Sequence, residues 1–208
     1  MFLLDACQSV GQMPIDVEVL GCDMLSATGR KYLRGPRGTG FLYVRQGILE
    51  HLEPPFLDLH AAHWVAPERF AIRPDARRFE NWETYYAGKI GLGVAIDYAL
   101  QWGIEAIWGR IRRLADDLRQ QLSAISGVTV RDQGIEQCGI VAFTVAARDA
   151  EEVQQLLSNA SINVSVSRIA STRLDMEARA LPDLVRASVH YYNTEAEIER
   201  FCATLASI

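Results

Sequence analysis

The chain has little lysine. Two lysines, Lys31 and Lys89, stand against nineteen arginines in 208 residues. It also lacks the cysteine spacing of a disulfide framework or a metal knuckle: Cys7, Cys22, Cys138 and Cys202 are scattered, with no C-x-x-C pair. Such thiols fit a reducing, cytoplasmic setting and point to no metal. No apolar run is long enough to span a bilayer, and no charged n-region precedes an apolar h-region. The net charge of −5 leaves no basic stripe for nucleic acid. Internal repeats and low-complexity tracts are absent as well. These absences disfavour a membrane protein, a nucleic-acid binder and a disulfide-stapled scaffold, and leave a globular chain able to bury a sizeable core.

Against that background Lys31 stands out. It lies in Ser26-Ala27-Thr28-Gly29-Arg30-Lys31, followed by Tyr32-Leu33-Arg34-Gly35-Pro36-Arg37-Gly38-Thr39-Gly40 and the apolar Phe41-Leu42-Tyr43-Val44. Unlike arginine, a lysine amine can shed its proton and attack a carbonyl. A lone lysine in a Gly/Arg-rich loop is by default a solvated charge. Among hydroxyls, glycines and clustered arginines, it instead suggests a Schiff base beside a phosphate. The segment upstream strengthens that reading. Phe2-Leu3-Leu4 reads as a buried strand ending in Asp5, with Gln8 three residues on. A carboxylate at a strand end can keep a pyridine nitrogen protonated, which lets the ring act as an electron sink. Gln8 can donate to the ring's phenolic oxygen. A nucleotide phosphate loop at Gly35–Gly40 fails, because Gly40 is followed by Phe41-Leu42 where that motif needs Lys-Ser/Thr.

These motifs, Asp5-x-x-Gln8, Thr28-Gly29-Arg30-Lys31 and Gly35-Pro36-Arg37-Gly38-Thr39-Gly40, resemble those of the class V aminotransferases. That pyridoxal-5'-phosphate (PLP) dependent group is similar to the cysteine desulfurases and includes epimerase-like and lyase-like members. The resemblance implies that Lys31 carries the internal aldimine, Asp5 pairs with the pyridinium nitrogen, Gln8 contacts the phenolic oxygen and Thr28 touches the phosphate. Arg30 stands where desulfurases usually carry histidine, as a further phosphate contact. Near the C-terminus, Val185-Arg186-Ala187-Ser188-Val189-His190 resembles the family's closing strand-to-helix segment, and Arg186 would bind a substrate α-carboxylate.

The resemblance further implies an α/β, PLP-dependent transferase-like fold. Residues 1–103 would form the back half of the large mixed-sheet domain and 104–208 a small C-terminal α+β domain. A hinge near 103 would set Arg186 across a cleft from Lys31. The function implied is α-carbanion chemistry on a small amino-acid substrate, by transamination, epimerisation or lyase cleavage, in a homodimer. Family members are roughly twice as long, so the chain is expected to be a fragment lacking the front half, which grips the phosphate and stacks on the ring. A non-catalytic half-enzyme, serving as a binding or structural subunit, is the alternative. Desulfuration is disfavoured: Ser165–Leu174, where that reaction needs a mobile-loop cysteine, has none, and Trp82-Glu83 replaces the Gly-Thr that reaches a neighbouring subunit's phosphate.

Periodicity predicts strands at about 1–6, 22–27 and 41–44, then a loop-rich region over 52–88 broken by Pro54-Pro55 and Pro74. The aromatic tract His60-Ala61-Ala62-His63-Trp64 with Phe79–Glu83 reads as a pocket or interface rim. A helix is expected from Lys89, with Ile90, Val94, Ala95, Tyr98 and Ala99 recurring at i, i+4, i+8-type spacing and Gly103 as its stop. A second, over 104–125, presents Ile107, Ile111, Leu114, Leu118 and Leu122, with Arg110, Arg112, Arg113, Asp116, Asp117 and Arg119 on a solvated face. Beyond it come strands at 128–131, 139–145, 162–166 and 184–189, and helices at 149–159 and 195–206. Thr194 and Glu197 form a capping box for the last.

Overall fold

The structure, a computed structural model, describes all residues 1–208. They divide into two compact units, 1–104 and 105–208.

The first unit opens with strand β1 (Leu3–Asp5), the one-turn helix α1 (Val17–Leu20), and strands β2 (Met24–Thr28) and β3 (Gly40–Val44). The order is β1-β2-β3, with β1 parallel to β2 and β3 antiparallel to it. A parallel pair requires a crossover, and residues 6–23 supply it. Asp16 starts α1 by accepting the amides of Glu18 and Val19, and Gly21 ends it at φ 62°. Ala6, Cys22, Leu25 and Ala27 are buried together, with Leu4, Val10, Ile15, Val17 and Tyr43 packed around them. Gly40 has to be glycine: a Cβ there would collide with the Ala27 carbonyl oxygen across the ladder.

The stretch expected to be loop-rich holds a hairpin, β4 (Ala62–Ala66) and β5 (Arg69–Ile72). Its strands are missed by periodicity because His63, Trp64 and Val65 are all exposed in succession, so no inside–outside alternation exists to be read. Arg78 is buried there and donates to the carbonyls of Leu49 (2.6 Å) and Leu52 (2.9 Å) and to that of Arg73.

Helix α2 (Tyr86–Trp102) forms one turn earlier than expected and ends at Gly103, whose φ of 83° suits glycine. Gly88, Leu92 and Ala99 are buried, whereas Ile90 and Val94 are 71% and 63% exposed. The apolar stripe exists, but this chain does not cover it.

Helix α3 (Ile104–Ala124) buries Ile107, Ile111, Leu114, Leu118 and Leu122, as its period predicts. Arg119 departs from the expected solvated face. It is buried, ion-paired to Asp132 at 2.8 Å, and donates to the Cys138 carbonyl at 2.7 Å. A guanidinium beside a part-buried carboxylate and a carbonyl turns inward to bond both.

The rest of the second unit comprises β6 (Val128–Val130), β7 (Ile140–Val145), α4 (Ala150–Asn159), β8 (Ser165–Ser167), α5 (Arg173–Ala178), β9 (Leu184–Ser188) and α6 (Glu195–Ala206). The four strands form an antiparallel sheet in the order β6-β7-β9-β8. Phe143 on β7 meets Phe201 on α6 edge to face, with centroids 6.2 Å apart. The capping box is present: Thr194 accepts the Glu197 amide and the Glu197 carboxylate accepts the Thr194 amide. Helix α5, anchored by buried Met176, was not anticipated, because six residues are too short for a helical period to show.

Candidate functional site

The site is built at the C-terminal edge of β1 and β2. Parallel strands end on the same side, so Asp5, which closes β1 opposite Ser26, shares an edge with the loop that leaves β2 at Thr28. Ligands in α/β sheets gather outside such strand ends.

The loop carrying Lys31 is folded tightly on itself. The Gly29 amide donates to the Thr39 carbonyl at 2.8 Å, and the Gly35 amide to the Gly29 carbonyl at 2.7 Å. The Arg34 amide reaches back to the Lys31 carbonyl at 2.9 Å, and the Thr39 hydroxyl donates to the Pro36 carbonyl at 2.6 Å. Buried Tyr32 and Leu33 pin the chain immediately after Lys31. Arg34 takes a left-handed φ of 58°, costly for a residue with a Cβ, and lays its guanidinium 5.0 Å from the Tyr98 ring centroid. Lys31 is thereby fixed at its backbone and left half-buried at its side chain, while Arg30 is exposed.

Asp5 accepts the Cys7 amide at 2.9 Å. That backbone hydrogen bond, with one from the Cys7 side chain and the charge of Lys31, holds the carboxyl below its usual range despite some loss of water. Asp5 and Lys31 therefore share one electrostatic neighbourhood. Gln8 lies in the turn that follows, where its carbonyl accepts from the side chain of buried Gln12. Thr28 Oγ1 makes only a long hydrogen bond, 3.4 Å, to the Thr39 carbonyl.

The structure thus gathers Asp5, Gln8, Thr28, Arg30 and Lys31 in the first unit, and places Arg186 in the second. Arg186 sits on β9 opposite Ala142 and Ser165, and its Nε is buried without a hydrogen-bond partner. A buried donor left unpaired is costly and calls for a ligand or another acceptor. Lys89, the other lysine, stands 3.8 Å from Glu80 in a solvent-exposed ion pair, and His60 approaches the same carboxylate at 3.3 Å. Sequence reading missed Cys7 and the Arg34–Tyr98 stack. The signal for Cys7 was its place two residues after an aspartate, the spacing of an Asx turn.

The sequence model of the class-V aminotransferases matches residues 1–201. The chain belongs to that family. A probable cysteine desulfurase of Methanothermobacter thermautotrophicus is 33% identical over all of this chain and 53% of its own length. The cysteine desulfurase of Yersinia pestis (strain Pestoides F) is 32% identical over 99% of the chain and 50% of its own. Among solved structures, the apo cysteine desulfurase of Thermococcus onnurineus superposes with a TM-score of 0.91 at 28% identity, over 100% of this chain and 52% of that one. A cystine C–S lyase in complex with its product, cysteine persulfide, gives 0.82 at 26%, over 97% and 50%. This class-V chain therefore has the mixed α/β fold of those enzymes and spans about half the length of the curated relatives it matches.

The residues present fit PLP, the cofactor to which glycine is covalently linked in a solved variant of that lyase. Within the first unit, a carboxyl held low, a half-buried lysine on the loop leaving the same strand edge, and a threonine hydroxyl with only a weak internal bond are donors and acceptors such a group needs.

Proposed function

We propose that this chain carries the lysine-bearing part of a PLP site acting at the α-carbon of an amino acid. The observation that supports the reading is that Asp5, at the end of β1, and the loop that carries Lys31 off β2 leave the same edge of a parallel strand pair, close enough for the Lys31 charge to help lower the Asp5 carboxyl. PLP, when bound, supplies an electron sink that stabilises negative charge at the substrate α-carbon. Asp5 would hold the ring nitrogen in its charged form, Gln8 would donate to the phenolic oxygen, and Thr28 and Arg30 would meet the phosphate. Lys31 Nζ would be the point of covalent attachment and, once displaced by a substrate amine, the base that takes the α-proton. Arg186, with its planar fork, would orient the substrate carboxylate.

Persulfide transfer is not part of the proposal. Ser165–Leu174 contains no cysteine, and Cys202 lies buried in α6 with its thiol pushed up to about 11 by desolvation. Transamination, epimerisation and lyase cleavage all share the α-proton step, and the proposal is made at that level, with dimer formation included. The test is exchange of the substrate α-proton in D2O with added PLP, followed by mass spectrometry across a panel of amino acids. Exchange that disappears in Lys31→Ala supports the reading; exchange that persists in that variant removes Lys31 from the role of base. A binding or structural subunit is the second reading, favoured by the exposed apolar faces of residues 1–104. It predicts no exchange with any amino acid.

A further inference from the structure

Two glycines close the loop that carries Lys31, and a leucine on α2 occupies the space where their side chains would be. The Gly35 amide donates to the Gly29 carbonyl at 2.7 Å, so residues 30–34 lie inside a clasp. Neither glycine has a positive φ, so neither is required by its backbone conformation. Space is what they provide. A Cβ on Gly29 would stand 2.8 Å from Leu92 Cδ1, and one on Gly35 would stand 3.0 Å from the same methyl carbon. Both distances are shorter than carbon atoms pack. Leu92, buried on α2, therefore seats one methyl group against both halves of the clasp.

The same helix meets the loop at further points. A Cβ on Gly91 would reach Pro36 Cγ at 2.8 Å, and one on Gly88 would reach Thr39 Cγ2 at 2.9 Å, so the helix lies close against the chain leaving the clasp. Tyr98, farther along α2, takes the Arg34 guanidinium. Arg34 holds a φ of 58°, unfavourable for a residue with a Cβ, so the loop is shaped from outside rather than by local preference.

We propose that Leu92 is a positioning residue for Lys31: its Cδ1 methyl, seated against Gly29 and Gly35, keeps the clasp shut and so sets where the lysine leaves the strand edge. The inference deepens the proposed function and rests on it only for what Lys31 does; the seat itself needs no cofactor. Leu92 acts through the Gly29–Gly35 bond and not on a reacting atom. An alanine at 92 empties the seat, and a methionine, similar in volume and flexible, refills it.

The test uses the full chain, first without cofactor, by backbone hydrogen exchange. In Leu92→Ala the Gly35 amide is expected to exchange about tenfold faster, while the β2–β3 ladder keeps its protection; Leu92→Met should restore the wild-type rate. Gly35→Ala presses on the seat from the loop side with Leu92 intact and should also speed exchange at position 35. It decides the matter if Leu92→Ala loosens the ladder too. Gly93→Ala, on α2 where a Cβ meets nothing within 4 Å, is the control. An unchanged amide at position 35 in Leu92→Ala or Gly35→Ala, or an equal change in Gly93→Ala, overturns the proposal. PLP and borohydride labelling of the same samples supplies the second reading, with Lys89 on α2 as internal standard. Lys31 labelling relative to Lys89 should fall in Leu92→Ala and recover in Leu92→Met. Where wild-type Lys31 is labelled, an unchanged ratio in Leu92→Ala overturns the positioning role, whatever the amide does. A faster amide with Lys31 unlabelled in the wild type leaves the seat standing and removes the cofactor reading.

Discussion

The two units differ in how they treat their apolar residues. Large hydrophobic side chains that remain exposed fall almost entirely in residues 1–104, from Phe2 and Leu3 through Trp64, Trp82, Tyr86 and Ile90 to Trp102; only Ile135, Leu174 and Tyr192 do so beyond. The second unit closes a core of its own around Phe143, Leu157, Val185 and Phe201. The first unit carries most of the candidate site and leaves the outer stripe of α2 bare. A sheet packed on one side and a helix packed on one side can each keep an apolar face that needs another surface. The difference teaches that packing and the proposed chemistry fall in different halves of this chain: the second unit buries nearly all its large apolar side chains, and the first holds the lysine proposed to bind the cofactor.

Variants break or sharpen that contrast, beginning with the most damaging. Phe143→Ala removes a fully buried ring and should cost about 3–5 kcal/mol, visible as loss of amide-exchange protection across β7 and α6. Arg119→Met leaves the part-buried Asp132 carboxylate with the Ala142 amide alone and should cost about 3 kcal/mol, read from the urea midpoint of the second unit. Thr194→Ala removes half of the capping box at α6 and should cost about 1 kcal/mol, by the same measurement. Ile90→Ser and Val94→Ser, on the exposed stripe, should change stability by no more than about 0.5 kcal/mol. If either proves as costly as a core substitution, the contrast between the units is wrong.

A pH series adds a finer distinction. Arg110 holds the Glu195 carboxyl down at about 2, below its ordinary 4.5. A depressed carboxylate stabilises the fold while ionised, so its contribution is present above pH 4.5 and is lost as the pH falls toward 2. Glu195→Gln should flatten the decline in unfolding midpoint through that window. An unchanged slope would show that this exposed pair contributes nothing measurable, as many surface ion pairs do.

How much of this was legible in the sequence follows the same division. The face of α3 could be read because Ile107, Ile111, Leu114, Leu118 and Leu122 are buried by the chain that encodes them. The stripe Ile90–Val94–Tyr98 has an equally clear period, yet a period states only that an apolar face exists, not that this chain covers it. The β4–β5 hairpin was invisible because its side chains are exposed in succession, and Arg119 was misplaced because its partner Asp132 lies beyond the helix. At the site, Asp5, Gln8, Thr28, Arg30 and Lys31 were legible as types of chemistry following apolar strands. That Asp5 and the Lys31 loop leave one strand edge depends on β1 and β2 running parallel, which the run of residues alone does not state. The contacts of Cys7, its amide to Asp5 and its thiol to the Ser26 carbonyl, were not legible because a cysteine alone announces metal or disulfide chemistry.

The central claim is that Lys31 is the lysine prepared to hold PLP, and the chain supplies its own control in Lys89. Purified protein incubated with PLP, reduced with borohydride and mapped by peptide mass gives the direct answer. The account predicts one dominant adduct on Lys31, lost in Lys31→Ala and weakened in Asp5→Asn. An adduct on Lys89 or the amino terminus in preference to Lys31, or none at all, would contradict it.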